Sequence, residues 1–355
     1  MPAPTVTTVD VFPEPRDSAL PHRVAHALDR ALRRALAGTG AGATAAVLTD
    51  RGSWTGAAGT GLRDERLTPK HAFPYASISK TFTAAEVVLL ASRGLVDLHS
   101  PVSTYVPLPF QDNGATVEQV LRMRSGFHDS IGETWGRKVE TDPDVHITPA
   151  EVLAEVPPVP DQAGAPYRYT NTNYLLLGQL IERVTRSSYA TALHQDLLNE
   201  HGLASIVVQD IDPPPHTPKV LPPPQLAGSS GYIPSRGESS AAWSAGGLAG
   251  NAAAAARWGY LLYGGRILRP DLVASMHPLD DGTGYGYGTL TSRSVTSDLT
   301  YVGHPGESGP YRTVLLVATD RPLAIAVLAA HPETDISPSA IADELVTALD
   351  KSNDR

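Results

Sequence analysis

In the stretch Pro74-Tyr75-Ala76-Ser77-Ile78-Ser79-Lys80, an extended, proline-led entry runs into a strongly helical segment that continues to Leu90. Residues i and i+3 of a helix are neighbours on one face, so Ser77 and Lys80 can touch. Ser77 stands where the helix begins, and the positive end of the helix dipole favours an oxyanion there. A serine hydroxyl is a weak nucleophile until a base takes its proton, and a desolvated lysine with a lowered pKa can do that. The competing reading makes Ser77 a helix cap and Lys80 a solvated cation. Lysine occurs only at positions 70, 80, 138, 219 and 351, so arginine is the usual cation of this chain. Arginine cannot be deprotonated in a protein, whereas lysine can act as a base. Alone, Ser-x-x-Lys is a weak motif.

Three further clusters carry chemistry. Tyr169-Thr170-Asn171 precedes an apolar helix and sets a phenol beside an amide. The phenol can relay a proton, and the amide can hold a substrate carbonyl or a neighbouring lysine. It also reads as a polar turn in which Thr170 or Asn171 caps the helix. Tyr301 to Arg312 contains His304-Pro305-Gly306-Glu307, with glycine at 303, 306 and 309. Glycine lets a ligand approach the backbone, so free N–H groups there could bind an oxyanion; the plain alternative is a glycine-rich hairpin loop with a solvated histidine. Trp243 to Gly250 and Ser125-Gly126-Phe127-His128 are glycine-containing turns with no single chemical reading.

The elements that must position these groups follow from periodicity. A helix is expected over His22–Leu36, then two short strands, Ala43–Gly52 and Ser53–Gly61, joined as a hairpin at Asp50-Arg51-Gly52. After the Ser77 helix, which ends near Gly94, short helices fit Thr116–Met123, with Thr116 as N-cap, and Pro149–Val156. Asn173–Leu198 reads as mainly helical, 213–224 as a proline-rich surface loop, and Gly228–Ser240 as a glycine- and serine-rich loop lining a cleft. Helical patterns return at Ala252–Gly264 and within Arg266–His277. Strand signals follow at Gly284–Leu290, Leu299–Val302, Thr313–Ala318 and Leu323–Ala330, and a last helix at Ser337–Leu349.

This order predicts an α+β fold: an antiparallel sheet, built from both ends of the chain and flanked by the terminal helices, plus a mainly helical lobe. The division is 21–84 with 281–352 for the discontinuous sheet domain, 85–280 for the helical domain, and 1–20 for an irregular N-terminal arm. The cleft between the lobes is where a ligand site is expected.

Composition narrows the function. At 355 residues the chain can bury a large core, and its net charge of −9 with no basic run argues against nucleic acid as a partner. No cysteine is present, which excludes disulfides, thiol catalysis and zinc-thiolate sites. His22 and His26 stand i and i+4 on the first helix, but no third ligand accompanies them, so they read as solvated and no metal or other cofactor is expected. No stretch approaches the roughly 20 apolar residues of a membrane span. Residues 1–20 carry Asp10, Glu14, Arg16 and Asp17 with no apolar h-region, so a cytoplasmic location is expected unless a signal peptide has been removed. No Gly-x-Ser-x-Gly elbow occurs, and the glycines at 282, 284, 286 and 288 do not have dinucleotide-binding spacing.

In order, the clusters resemble the serine hydrolases of the penicillin-recognising superfamily, in the branch of class C β-lactamases, D-alanyl-D-alanine carboxypeptidases and related esterases. The resemblance runs from about Ala43 to Leu349. Ser77-Ile78-Ser79-Lys80 is similar to the family's Ser-x-x-Lys, Tyr169-Thr170-Asn171 to its Tyr-x-Asn, and His304-Pro305-Gly306 to a third motif that is Lys-Thr-Gly or His-x-Gly. Leu95-Val96-Asp97-Leu98, Ser125-Gly126-Phe127, Ser244-Ala245-Gly246-Gly247 and Gly284 to Gly288 add lesser similarities.

The resemblance implies that Ser77 forms an acyl-enzyme, that Lys80 and Tyr169 shuttle its proton, and that Asn171 positions the pair and the substrate amide. It implies an oxyanion hole from the backbone N–H groups of Ser77 and Glu307. His304, Gly306 and Glu307 are then substrate-binding, the substrate is a small molecule or peptide, and no cofactor is needed. Two departures bear on specificity. His304 replaces the lysine of most β-lactamases of this type, and Glu307 stands where many relatives carry a small residue. A carboxylate there disfavours substrates with their own carboxylate. The expectation is therefore an esterase, amidase or acyl-transferase ahead of a strict carboxypeptidase or β-lactamase. The reading from another class is a sensor domain that keeps the pocket without turnover.

Overall fold

The most apolar run of the chain, Leu323–Ala330, is buried along its whole length, as is Gly42–Thr49, its antiparallel neighbour. Such short, continuous apolar runs suit a strand covered on both faces. They form the centre of a computed structural model that describes residues 10–279, 282–331 and 336–353.

The chain begins with α1 (His22–Leu36), β1 (Gly42–Thr49), β2 (Gly52–Ala58) and β3 (Phe73–Pro74), then a 3-10 turn at Ala76–Ile78 leads into α2 (Ser79–Ser92). The middle holds α3 (Val117–Leu121), α4 (Glu133–Thr141), α5 (Pro149–Leu153), α6 (Asn171–Thr185), α7 (Tyr189–Leu193) and β4 (Val207–Val208). It continues with α8 (Arg236–Gly246), β5 (Leu248–Gly250), α9 (Ala252–Tyr263) and α10 (Pro270–Met276). The chain ends with β6 (Leu290–Arg293), β7 (Thr300–Ser308), β8 (Tyr311–Ala318), β9 (Leu323–Ala330) and α11 (Pro338–Asn353).

Six strands make one antiparallel sheet in the order β2-β1-β9-β8-β7-β6, so strands from the two ends of the chain meet at the β1–β9 pair. Period-2 alternation splits the residues of β1 between two cores. Ala43, Ala45 and Val47 face a core with Leu28 and Leu32 of α1 and Leu345 and Val346 of α11, while Ala46 and Leu48 face the larger core on the other side. On that other face α9 lies close to the sheet: a Cβ added at Gly259 would stand 2.7 Å from Leu315 Cδ1. The fold is α+β, as expected from the sequence.

Most elements fall where periodicity put them, including α1, the β1–β2 hairpin and Thr116, whose side chain and Gln119 form a reciprocal capping box on α3. The differences have local causes. Arg236–Gly246 is helix rather than loop, because Ser235 accepts from the N–H of Glu238 and starts it in spite of the glycine and serine content. Glu133–Thr141, unassigned from the sequence, is also helical. The strand expected over Gly284–Leu290 begins only at Leu290, since Gly284 and Gly288 adopt φ of +67° and +60° and break the extended run. The helix expected over Asn173–Leu198 breaks at Arg186, which turns left-handed at φ 58°. Of the irregular arm expected over 1–20, residues 10–20 are irregular, with Phe12 packed on Tyr260 at 5.1 Å, and residues 1–9 lie outside the described residues.

Candidate active site

The Ser77 turn is fixed on three sides. Ahead of it, β3 pairs with β5, and the N–H of Tyr75 donates to the Leu248 carbonyl at 2.7 Å. Ala76 then takes a left-handed φ of 49°, a conformation that costs an L-residue energy unless neighbours enforce it. Behind it, α2 is locked by Phe82 stacked on Trp258 at 3.8 Å, and by Trp258 Nε1 donating to Thr81 Oγ1 at 2.8 Å. Beside it runs β7: a Cβ on Gly306 would lie 2.3 Å from Thr313 Oγ1, 2.5 Å from the Tyr75 carbonyl oxygen and 3.1 Å from Ala76 Cβ. The close approach that Gly306 permits is thus to the chain's own turn.

Within this frame Lys80 is fully buried and its Nζ has three neighbours. It lies 3.0 Å from Ser77 Oγ, 2.8 Å from Asn171 Oδ1 and 2.8 Å from the Ala245 carbonyl oxygen. The last two atoms can only accept, so each must receive an N–H. A neutral amine has two such hydrogens, which leaves its lone pair for the third direction, toward Ser77 Oγ. Burial pushes the lysine down to about 7, and the charge of Asp129 opposes this in part. A neutral Lys80 is therefore accessible near neutral pH and is placed to take a proton from Ser77.

Tyr169 donates its hydroxyl to Ser77 Oγ at 2.8 Å. Burial, the largest influence, raises the phenol well above its ordinary value, so it stays protonated and acts as a donor. Thr170 is the N-cap of α6, its Oγ1 accepting from the Thr172 N–H, which leaves Asn171 free to face Lys80. Thr170 thus takes the capping role, and Asn171 contacts Lys80 beside it.

Two site groups carried no readable sequence signal. Asp129 Oδ1 accepts from the backbone of Asn171 at 3.0 Å and from Thr170 Oγ1 at 3.2 Å, while Oδ2 accepts from Asn171 Nδ2 at 3.2 Å. It orients the amide so that Oδ1 faces the lysine, and its negative charge suits the α6 N-terminus. The Ala245 carbonyl is exposed because α8 breaks at Trp243, with φ 34° and ψ −120°. The break sends the Ser244 carbonyl to Thr83 Oγ1 at 2.6 Å and the Ala245 carbonyl to Lys80.

His304-Pro305-Gly306 lies within β7 rather than in a loop between strands, paired with Leu315, Val314 and Thr313 of β8. His304 is buried behind Tyr169, their ring centres 6.1 Å apart, with Tyr285 at 5.8 Å, and it does not line the cavity. Burial, aided by the Lys80 charge, pushes it down to about 3, so it is neutral. In this structure it packs on Tyr169. Glu307 does line the cavity, but its carboxylate pairs with Arg312 at 2.9 Å. Beyond Gly303, β7 has no strand partner on the β6 side among the described residues.

The cavity above Ser77 has a volume of about 450 Å³. Tyr169, Asn171 and Asp129 form one side, Glu307 and Gly309 another, and Glu238 with Ala241 and Ala242 of α8 a third. Among the described residues no cluster of His, Asp or Glu is placed to hold a metal, and no helix is long and apolar enough to cross a membrane.

Comparison with known proteins gives the same architecture. The D-amino acid amidase from Ochrobactrum anthropi SV3, solved with L-phenylalanine amide, superposes with a TM-score of 0.77 at 21% identity, over 93% of this chain and 99% of that one. The D-stereospecific amidohydrolase from a Streptomyces species gives 0.71 at 22% identity, over 91% and 98%. A penicillin-binding protein of Bacillus subtilis (strain 168) is 29% identical over 137 residues, which span 37% of this chain and only 29% of that relative's length. The Beta-lactamase family model matches residues 28–346, from within α1 to the middle of α11, and the chain belongs to that family.

Proposed function

We propose that this chain is a serine acyl hydrolase or acyl-transferase that works through a Ser77 acyl-enzyme on an ester, amide or D-amino-acid peptide. The observation that carries this reading is the buried Lys80 amine, whose two acceptor-only neighbours leave its third direction to Ser77 Oγ at 3.0 Å. In the first half-reaction Ser77 Oγ bonds to the substrate carbonyl carbon as its proton passes to Lys80 Nζ. The carbonyl oxygen becomes an oxyanion facing the N–H groups of Ser77 and Glu307. Loss of one such donor typically costs about 100- to 1,000-fold in rate. The bond to the leaving amine or alcohol then breaks, and Tyr169 hands over its proton and regains one from Lys80. In the second half-reaction water, or another acceptor, attacks the acyl-enzyme by the same proton path in reverse.

The likeness to two solved relatives, an amidase of D-amino acids and a D-stereospecific amidohydrolase, favours an amide of a D-amino acid among these substrates. The cavity wall supports a substrate without its own carboxylate: Asp129, Glu238 and Glu307 line it, and among the described residues no lysine, arginine or histidine does. The division into a sheet body (21–84 and 281–352) and a helical body (85–280) belongs to the same reading, although α9 packs with the sheet.

The test is direct. A p-nitrophenyl ester or an acylating active-site probe is mixed with the protein, and mass spectrometry locates the adduct. The expected result is one acyl group on Ser77 and loss of turnover in Ser77→Ala. No adduct, with the variant matching wild type on esters, amides and peptides, overturns the proposal.

A further inference from the structure

Glu238, Ala241, Ala242 and Ala245 stand at i, i+3, i+4 and i+7 on α8, and all four line the cavity over Ser77. The first three form a stripe on the unbroken part of α8, and Ala245 extends it from beyond the break at Trp243. Its far end is at the nucleophile, where Ala245 holds Lys80 through its carbonyl. Ala242 is close by: a Cβ built on Gly246 would lie 3.2 Å from Ala242 Cβ and 3.7 Å from the carbonyl carbon of Ala76. Glu238 is one turn further out, its Cβ about 6 Å from that of Ala242. Its carboxylate thus sits on the order of 10 Å from Ser77. Between them the helix offers only methyl groups, and Trp135 and Val152 contribute apolar surface to the same cavity.

The three carboxylates of the cavity differ in what they already do. Asp129 is bound to Thr170 and Asn171, and Glu307 to Arg312. The Glu238 carboxylate makes no hydrogen bond or ion pair among the described residues. The cation nearest to it in sequence, Arg236, is bound instead to Asp210. Glu238 is exposed at the outer edge of the cavity, and the wall beside it nudges its carboxyl upward by partial desolvation. A ligand cation arriving there would remove that penalty.

We propose that Glu238 is a specificity residue for substrates whose acyl group ends in a cation, a primary amine or guanidinium at the end of an extended aliphatic chain. This rests on Ser77 being the acylated residue. With the carbonyl at Ser77, a chain of about six bonds spans about 8 Å when extended, enough to run along the alanine stripe and reach the carboxylate. Basic amino-acid side chains have this length, whereas the α-amino group, two bonds from the carbonyl carbon, does not reach.

The experiment compares p-nitrophenyl esters of Nα-acetyl-lysine and Nα-acetyl-norleucine, in both hands, which differ by the terminal ammonium alone. Wild type is expected to favour lysine in kcat/KM by about tenfold or more, the scale of a charge-assisted bond. Glu238→Gln is expected to bring the ratio close to one, and Glu238→Lys to move the preference to the Nα-acetyl-glutamate ester. A purely structural role at the start of α8 would alter melting temperature and leave the ratio in place. A wild-type ratio near one, or one that survives Glu238→Gln, overturns the inference, and the wild-type ratio alone decides should the variant not fold. Acylation of Ser77 by both esters without preference overturns this inference and leaves the acyl-enzyme standing. No adduct from either ester overturns both.

Discussion

Lys80 Nζ stands 3.0 Å from Ser77 Oγ and is held from behind by two carbonyl oxygens, of Asn171 and Ala245. Helix spacing brings the serine and lysine together, and those two acceptors decide where the lone pair points. The chemistry of the pair therefore depends on protonation. Burial holds the lysine at about 7, so kcat/KM for a neutral ester should rise with pH and level off above that value. Lys80→Arg keeps the charge and cannot supply the base. It should lose about 100- to 10,000-fold in kcat/KM at every pH, measured by initial rates on the same ester. An unchanged pH limb in that variant would sink the assignment.

Asp129 acts at one remove, through Asn171 and through its charge. Its carboxylate opposes the effect of burial on Lys80, so removing the charge should lower the lysine further. Asp129→Asn is expected to move the acidic limb of the pH–rate profile to lower pH. Loss of a charged partner at the α6 N-terminus should also lower stability by about 1 kcal/mol. A residue of purely structural weight would shift the melting temperature and leave the limb where it was.

Gly306 is pressed against the Ser77 turn, with the Tyr75 carbonyl 2.5 Å from where a Cβ would be. Gly306→Ala must displace β7 or the turn. The expected outcome is a loss of about 1–3 kcal/mol in denaturant unfolding, the usual range for overpacking, together with a fall in kcat. Wild-type rates and stability in this variant would mean that the turn is looser than its contacts indicate.

His304 makes a separate prediction about acid. Burial lowers its folded-state pKa to about 3, below the ordinary 6.5 of an unfolded chain. Between these values the unfolded chain binds a proton that the folded chain refuses, so this residue makes stability fall as pH drops from 6.5 toward 3. His304→Gln should flatten that part of the stability curve, read as thermal unfolding across the window. A slope equal to wild type would show that the histidine is not held neutral.

How legible the site was depended on whether a role left a mark in residue types. Ser77 with Lys80 and Tyr169 with Asn171 are local pairs of distinctive side chains, and the structure sets Lys80 and Tyr169 on the Ser77 hydroxyl and Asn171 on Lys80. Asp129 acts on a helix start some 40 residues later through its carboxylate, and an aspartate after a turn is unremarkable in sequence. The Ala245 contribution is a backbone carbonyl, which any residue could supply; its only trace was the Ser244-Ala245-Gly246-Gly247 turn. His304 was misread for a related reason. Glycines at 303 and 306 suggested a loop, yet they serve a strand that passes close to Leu315 and to Tyr75. The start of α8 was recoverable: Ser235 with Glu238 three residues on is a capping signal, masked by the glycines and serines before it. The sheet was legible because short apolar runs at both ends of the chain leave few other ways to bury them.

The Thr313 hydroxyl that donates to the Tyr75 carbonyl at 3.1 Å lies 238 residues further along the chain, and the Ala245 carbonyl on Lys80 comes 165 residues after it. Order of synthesis therefore matters. A growing chain carries Ser77 and Lys80 early, but the carbonyl on Lys80 and the hydroxyl under the turn arrive only with Ala245 and Thr313. The geometry at Ser77 is thus set by long-range packing and not by the sequence immediately around it.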